Sequence, residues 1–250
     1  MIDLSGQIAL VTGGSRGIGG ACSRLLARAG ADVVVHFRKQ AQPALETVAA
    51  IEAMGRRSFP IATDVMNPIY VNAMVDQIGE RMGGLDLVVL NAGIWTNGAI
   101  DTMTDADWAR MIGVNLTGCF HVARATVPLL KARGGGSLIF ITSTAGQRGE
   151  AFHSHYAATK GALIAMVRSL AVELAPNIRV NAVSPGWIRT SMTEHLLTPQ
   201  AIGTSLKEPI PLGRPGEPED VAGPVVFLAS SLARHITGAI LNVNGGSVLV

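Results

Sequence analysis

Short apolar runs alternate along the chain with longer segments in which apolar residues recur every three or four positions. The short runs, rich in β-branched residues, predict strands at 7–12, 32–37, 57–63, 85–91, 137–143, 178–184 and 239–244. The longer segments predict amphipathic helices at Ile18–Ala29, Ala41–Met54, Pro68–Met82, Asp105–Leu130 and Tyr156–Leu174. Strands that alternate with helices form βαβ units. The pattern therefore predicts the α/β class, with a doubly wound, seven-stranded parallel sheet and helices on both faces.

The chain shows no linker, repeat or low-complexity tract, so we predict one domain that spans residues 1–250. The one long irregular stretch, at 184–217, is rich in Pro and Gly. Because loops of that length in a compact domain are usually functional, we expect a substrate lid at about 187–212. Ligands of such sheets bind at the carboxyl ends of the strands, so the residues that follow each strand are the first candidates for a site.

Composition and charge narrow the function classes. Hydrophobic residues make up 48% of the chain and charged residues 15%, which predicts a large buried core. The 20 basic residues are scattered and the net charge is only +2, so we expect neither nucleic acid nor a membrane surface as partner. With no leader peptide and no long apolar run in view, the expected location is the cytoplasm.

The two cysteines, Cys22 and Cys119, lie in apolar, helix-like stretches and are predicted to be buried free thiols. Neither they nor the six histidines show the spacing of metal ligands, so no metal site is expected.

A glycine-rich turn follows the first predicted strand, in the sequence T-G-G-S-R-G-I-G at 12–19. Glycines at 13, 17 and 19 allow a tight turn with no Cβ to block a pyrophosphate. The helix that begins here offers free N–H groups and the positive end of its dipole to that anion. A strand before the turn and a helix after it favour a dinucleotide site over an ordinary turn.

The end of the second strand suggests which dinucleotide is bound. An NAD site usually carries an acidic residue there, but this chain has Arg38 and Lys39, with Arg16 inside the glycine-rich turn. Arginines from two loops can hold a 2′-phosphate through charge-assisted hydrogen bonds. The sequence therefore favours NADP(H) over NAD(H), and it argues against an S-adenosylmethionine-dependent methyltransferase, whose ribose needs an acid at this position.

The motif Y-A-A-T-K places Tyr156 four residues before Lys160, on one face of a helix. Such pairs arise often by chance, so the spacing alone leaves open a surface pair or a catalytic acid beside a cation. An ammonium group close to a phenol favours the phenolate and lowers its pKa from about 10. On that hypothesis, Tyr156 could act as both proton donor and proton acceptor.

The whole chain resembles the classical short-chain dehydrogenase/reductase family, and several motifs in the family's order carry the likeness. They are Thr12-Gly13-x-x-x-Gly17-x-Gly19, Asp64-Val65, Asn91-Ala92-Gly93, Asn115, Ser143 with Tyr156 and Lys160 at 13 and 17 residues beyond it, Pro185-Gly186 and Thr190. Two positions depart from the pattern: Leu90 replaces an asparagine and is expected to point into the core, and Asn244 replaces an aspartate. The resemblance implies a single-domain Rossmann fold and an NAD(P)-dependent oxidoreductase that acts on CH–OH groups.

The resemblance also implies roles for four residues. Tyr156 would be the general acid and base, and Lys160 would tune it and bond the nicotinamide ribose. Ser143 would bond the substrate oxygen and stabilise developing negative charge. Asn115 would hold a water that links Lys160 to solvent.

The predicted cofactor contacts follow from the matched motifs. They are Gly13, Ser15, Arg16, Gly17, Ile18, Gly19, Arg38, Asp64, Val65, Asn91, Ala92, Gly93, Tyr156, Lys160, Pro185, Gly186, Ile188 and Thr190.

The substrate is expected to be a small carbonyl compound or alcohol. The likeness extends to 3-oxoacyl-carrier-protein reductases and glucose dehydrogenase-like members, and reduction of a 3-oxoacyl thioester is the favoured hypothesis. A sugar or polyol dehydrogenase, a general ketone reductase and a non-catalytic nucleotide-binding module stay open as alternatives. Basic residues for a carrier's acidic surface are present at Lys131 and Arg133 but not at 176–177.

Other residues near the site are candidate substrate contacts or packing residues. Walls are expected from Trp95, Gln147, Arg148 and Glu150, and the start of a lid from Trp187 and Met192. Glu150, Arg148 and the histidines at 153 and 155 make the mouth of the pocket polar, which leans toward a small polar or hydroxylated substrate. His153 and His155 are expected to be solvated loop residues that could touch substrate. A homotetramer is implied by the resemblance, with the apolar tail at 247–250 suited to burial.

Overall fold

A computed structural model of the chain describes residues 2–197 and 210–250 and contains the predicted seven-stranded parallel sheet. The strands are β1 (Ile8–Val11), β2 (Asp32–Phe37), β3 (Ser58–Ala62), β4 (Leu87–Leu90), β5 (Gly136–Ile141), β6 (Ile178–Pro185) and β7 (Ile240–Val243). Their order in the sheet is β3-β2-β1-β4-β5-β6-β7. The chain reverses its direction of progress across the sheet between β1 and β4, where doubly wound sheets bind their ligands.

The helices begin and end close to the predicted positions in most cases. They are α1 (Gly17–Arg28), α2 (Ala41–Glu52), α3 (Pro68–Met82), α4 (Asp105–Ile112), α5 (Gly118–Ala132), α6 (Ala145–Arg148), α7 (Ser154–Glu173) and α8 (Pro218–Ala229). The prediction of one helix over Asp105–Leu130 is wrong, because a π-helical turn at Gly113–Thr117 separates α4 from α5. The sequence patterns did not predict α6 and α8.

Two hydrophobic clusters form the core, one on each face of the sheet. Alternate residues of one strand serve both clusters: Leu10 points to the cluster under α3 and α5, and Val11 to the cluster under α1 and α8. Every residue of β1 and β4 is therefore buried, as expected for strands covered on both faces. Leu90 is 1% exposed in the first cluster, which confirms the expectation that it points into the core.

Of the 26 residues of the predicted lid at 187–212, the 12 at 198–209 lie outside the described part of the chain. Before them, Glu194–Leu196 form a 3₁₀ turn. The apolar tail is only partly covered, since Val248 is buried while Leu249 and Val250 are exposed. The implied homotetramer stays a prediction. No helix within 2–197 or 210–250 has the length and apolar character needed to cross a bilayer.

A hydrogen-bonded junction joins the loops that follow β1 and β4. Thr12 Oγ1 accepts from the amides of Asn91 (2.9 Å) and Ala92 (3.0 Å) and donates to Val89 O (3.2 Å). The Asn91 side chain donates in return to the carbonyls of Thr12 (2.9 Å) and Gly13 (3.2 Å). One hydroxyl thus uses its donor and both acceptor positions to hold two loops together at the switch point.

Close contact between α6 and α7 fixes the position of the Tyr156–Lys160 helix. A Cβ placed on Gly146 would stand 2.5 Å from Lys160 C and 2.6 Å from Gly161 N, both backbone atoms. Backbone cannot move aside as a flexible side chain can, so only glycine allows this approach.

We expect Gly146→Ala to lower the free energy of unfolding by about 1–3 kcal/mol, because the added methyl overpacks the α6–α7 contact. Gly223→Ala is the matched control, since a Cβ there meets no atom within 4 Å and lies in the interior of α8. The control should be neutral or more stable by up to about 1 kcal/mol. Urea unfolding followed by circular dichroism measures both, and equal stabilities of the two variants would contradict this packing argument.

Candidate functional site

One cleft of about 690 Å³ runs along the carboxyl edge of the sheet. It passes from the glycine-rich turn after β1, over the ends of β2 and β4, to Ser143, Tyr156 and Lys160. Every residue predicted from the sequence as a cofactor contact lines this cleft. The structure therefore brings together residues that lie as far apart in the sequence as Gly13 and Thr190.

The turn after β1 has the backbone shape that its glycines permit. Gly13 and Gly17 have φ of +62° and +53°, in the left-handed region that favours glycine. A Cβ on Gly17 would stand 3.5 Å from Thr190 Cγ2, so this turn and the segment after β6 lie close to each other across the cleft. The first residues of α1 line the cleft and its start has no side-chain cap, so its first N–H groups are available to an anion.

Three cationic side chains line the end of the cleft near β2. Arg16 and Lys39 are exposed, and Arg38 Nε lies 3.0 Å from Asp64 Oδ2. The same aspartate accepts from the amide of Met66 (3.0 Å) through its other oxygen. Asp64 therefore orients Arg38, and a guanidinium bonded through Nε retains the donors of its terminal nitrogens for a second anion.

Ser143, Tyr156 and Lys160 meet at the opposite end of the cleft. Ser143 follows β5, and its Oγ accepts from Ala145 N (3.1 Å) at the start of α6. It also forms a hydrogen bond with Tyr156. Lys160 Nζ lies 5.7 Å from the centroid of the Tyr156 ring and donates to Ile141 O (2.7 Å). A carbonyl at the end of β5 thus directs the lysine toward the tyrosine.

Burial governs the electrostatics of this end of the cleft. It raises the pKa of Tyr156 to about 12, against the smaller lowering effect of the Ser143 hydrogen bond, and the negative charge of Glu150 raises it further. Burial also lowers the pKa of Lys160. The expectation that Lys160 holds the pKa of Tyr156 below its ordinary value is therefore wrong for the protein alone, because desolvation of the phenolate outweighs attraction to an ammonium at this distance.

Asn115 lies behind the wall of the cleft, in the π-helical turn. It is fully buried, and its side chain bonds the backbone of Ile94 twice: Oδ1 accepts from Ile94 N (2.8 Å) and Nδ2 donates to Ile94 O (2.9 Å). The amide also approaches Thr159 Oγ1 (3.4 Å) on α7. Asn115 thus fixes the loop after β4 against α7, and its link to Lys160 through a water stays a prediction.

Aromatic and charged side chains form a second pocket, of about 80 Å³, beside Ser143 and Tyr156. Trp95 stacks on His153 with ring centroids 4.3 Å apart, meets the edge of Trp187 at 6.2 Å, and donates from Nε1 to Glu150 Oε2 (3.3 Å). Arg148, predicted as a wall residue, and Met192, predicted as the start of a lid, also line this pocket.

Three of the sequence expectations near this pocket are wrong. Gln147 does not line it, because its amide donates to Asn242 Oδ1 (2.7 Å) at the sheet. His153 and His155 are buried, at 8% and 0% exposure, instead of solvated. His153 is covered by the Trp95 ring, and His155 packs under Gly98 and contacts Thr96 (3.4 Å).

The sequence reasoning also missed contributors to the cleft. His36 and Thr63 line it, and the only sequence signal for His36 is a polar residue inside the apolar run VVVHF.

Both cysteines are free and buried, as predicted, and burial raises the pKa of Cys22 to about 12 and that of Cys119 to about 11. Among the described residues, no group of three potential ligands could hold a metal ion.

Known proteins resemble the chain over nearly its whole length. A family model described as enoyl-(acyl carrier protein) reductase matches residues 13–247. A 3-oxoacyl-acyl-carrier-protein reductase of Aquifex aeolicus is 38% identical over 248 residues, with 98% of each chain covered. An L-rhamnose 1-dehydrogenase (NAD(P)(+)) of a Sphingomonas species is 38% identical over 245 residues, with 97% of this chain and 96% of the relative covered.

A solved structure also resembles the chain over its whole length. The crystal structure of a short-chain dehydrogenase/reductase, glucose/ribitol dehydrogenase, from Brucella melitensis superposes with a TM-score of 0.90 at 35% identity, covering 100% of this chain and 99% of the other. The non-catalytic module and the methyltransferase considered from the sequence are therefore set aside. The chain belongs to the short-chain dehydrogenase/reductase family and is an oxidoreductase that acts on carbonyl or CH–OH groups.

Proposed function

We propose that the protein is an NADP(H)-dependent carbonyl reductase in which Tyr156 transfers the proton, and that its first candidate substrate is a 3-oxoacyl thioester. One observation carries the proposal: a single cleft joins the glycine-rich turn and its cations to the Ser143–Tyr156–Lys160 cluster. A dinucleotide is long enough to occupy both ends at once, so the phosphate end and the reacting end share one ligand.

The residues present fit a nicotinamide dinucleotide with a 2′-phosphate. The glycine-rich turn and the start of α1 would hold the pyrophosphate, and Arg16 and Arg38 would hold the 2′-phosphate. Arg38 is pre-oriented for this by Asp64 at 3.0 Å, which lowers the ordering cost of binding. Lys160 would bond the nicotinamide ribose. When bound, the cofactor supplies or accepts the hydride.

The chain's own groups supply the proton and the electrostatic support. With a pKa of about 12, Tyr156 is protonated at neutral pH and can donate its proton to a carbonyl oxygen that becomes an alkoxide. Ser143 would donate a hydrogen bond to the same oxygen and stabilise its negative charge as it develops. Carbonyl reduction therefore suits the protonation state of the protein, whereas alcohol oxidation needs a phenolate that burial disfavours.

The relatives support a thioester as the first candidate. The Aquifex aeolicus relative is named for reduction of a 3-oxoacyl group on a carrier protein. Arg133, one of the two basic residues considered for contact with a carrier, is paired here with Asp86 through bonds of 3.1 and 3.0 Å. Because that pair occupies its guanidinium, we propose reduction of the thioester and assign no surface for a carrier protein.

The wall of the second pocket favours a sugar or polyol as the second candidate. Trp95 and Trp187 offer flat apolar surfaces, and the carboxylate of Glu150 beside them can accept hydrogen bonds from neighbouring hydroxyls. A thioester's acyl chain has no hydroxyls that need such an acceptor. The name of the Sphingomonas relative, L-rhamnose 1-dehydrogenase (NAD(P)(+)), agrees with this candidate.

We expect Tyr156→Phe to reduce kcat by at least about 100-fold, because general acid–base catalysis contributes that much or more. NADPH affinity should stay within about twofold, since only a hydroxyl at the reacting end is removed. Turnover of acetoacetyl-CoA with NADPH and fluorescence titration of NADPH measure the two effects. Retained turnover in this variant would refute the role of Tyr156.

We expect Arg38→Gln to weaken NADPH binding by about tenfold or more, because a charge-assisted bond to the 2′-phosphate is lost. NADH binding should change little. Arg57→Gln is the matched control, since Arg57 forms an equivalent surface pair with Asp32 (2.7 Å) at the other end of β2. Calorimetric titration measures the affinity for each cofactor. Equal losses of affinity for NADPH and NADH would contradict the assignment of Arg38 to the 2′-phosphate.

We expect Glu150→Gln to separate the two substrate candidates. The glutamine side-chain oxygen can still accept the hydrogen bond from Trp95 Nε1, so the variant removes the negative charge and retains this contact of the pocket wall. If hydroxylated compounds are the substrates, KM for L-rhamnose should rise about tenfold, because bonds to a carboxylate are stronger than bonds to an amide. Acetoacetyl-CoA kinetics should change little, and Glu52→Gln, on the exposed end of α2, serves as control. A wild-type protein that turns over only the thioester would exclude the second candidate.

A further inference from the structure

A buried histidine joins the glycine-rich turn to the wall on the adenine side of the cleft. His36 lies in β2 and is 2% exposed. Its Nδ1 lies 3.0 Å from Gly13 N, and its Nε2 lies 3.0 Å from Thr63 O. Its backbone carbonyl also accepts from Gly14 N at 2.9 Å. One residue thus contacts two consecutive amides of the turn and the loop after β3.

The two ring contacts fix the tautomer of His36. An amide N–H can only donate and a carbonyl can only accept, so Nδ1 carries no proton and Nε2 carries one. Burial lowers the pKa of His36 to about 4, partly offset by the Thr63 bond and by the charge of Asp64, so the ring is neutral at pH 7. A second proton would face the Gly13 amide and break that bond.

We propose that neutral His36 is a positioning residue that holds the glycine-rich turn in its cofactor-binding shape. Gly13 is held from two sides: its amide donates to His36 Nδ1, and its carbonyl accepts from the Asn91 side chain (3.2 Å). These bonds hold the two peptide groups on either side of Gly13, the residue at which the turn enters its left-handed conformation. The inference rests on the proposed function only in assigning a dinucleotide to the turn.

Two substitutions separate the two ring contacts. The side-chain oxygen of asparagine is as many bonds from Cα as Nδ1, so His36→Asn keeps an acceptor for Gly13. The amide nitrogen of glutamine is as many bonds from Cα as Nε2, so His36→Gln keeps a donor for Thr63 and loses the acceptor for Gly13. Each variant places one polar amide in the same buried position, so each controls for the folding cost of the other.

We expect the dissociation constant of NADPH to stay within about twofold of wild type in His36→Asn and to rise about fivefold or more in His36→Gln, as the loss of one hydrogen bond requires. The loss should appear in the KM for NADPH more than in kcat, since the two ring contacts bear on the glycine-rich turn and not on Ser143, Tyr156 or Lys160. Equal affinities of the two variants, whether both weak or both tight, would overturn the proposal.

A spectroscopic measurement tests the same proposal without cofactor. Nitrogen-15 chemical shifts of the His36 ring at pH 7 should show the neutral tautomer protonated on Nε2. A charged ring, or a proton on Nδ1, would overturn the proposal directly. If the wild type binds neither NADPH nor NADH, the proposed function fails, and the ring shifts still decide whether His36 holds the turn.

Discussion

The junction between Thr12 and Asn91 is the interaction on which the site depends. A parallel sheet brings the carboxyl ends of its strands to one edge, but it does not by itself fix the loops that follow them. Here one hydroxyl and one amide tie the loop after β1 to the loop after β4, at the point where the strand order reverses. His36 extends the tie to β2 and Asn115 extends it to α7, so the loops after β1 and β4 are held by a set of buried and part-buried hydrogen bonds.

Much of the fold could be predicted from the sequence because local patterns and the global architecture agree. Continuous apolar runs give strands that are buried on both faces, and helical periodicity between them gives parallel crossovers. The positions that line the cleft could also be predicted, since the glycine-rich turn and Asn91 each follow a strand, Pro185 ends one, and the sheet brings strand ends together. Short motifs that directly follow strands therefore carry reliable positional information, even though they are distant in the sequence.

The rest depends on contacts that no local pattern encodes. Whether His153 is solvated depends on the Trp95 ring that covers it, which lies 58 positions away in the sequence. The π-helical turn around Asn115 satisfies the Ile94 backbone, although the apolar spacing there is that of an ordinary helix. The pKa of Tyr156 is set by desolvation, which sequence spacing to a lysine cannot measure. In each case, the tertiary environment sets the behaviour of a residue that the sequence pattern had singled out.

We propose that one dinucleotide joins the two ends of the cleft, with its 2′-phosphate at Arg38 and its nicotinamide beside Tyr156. A crystal structure of the full chain with NADP⁺ tests this most directly. We expect phosphate oxygens within hydrogen-bond distance of Arg38 and of the first turn of α1, and the nicotinamide ring beside Tyr156 and Lys160. A nucleotide bound in the reverse direction, or bound outside this cleft, would contradict it.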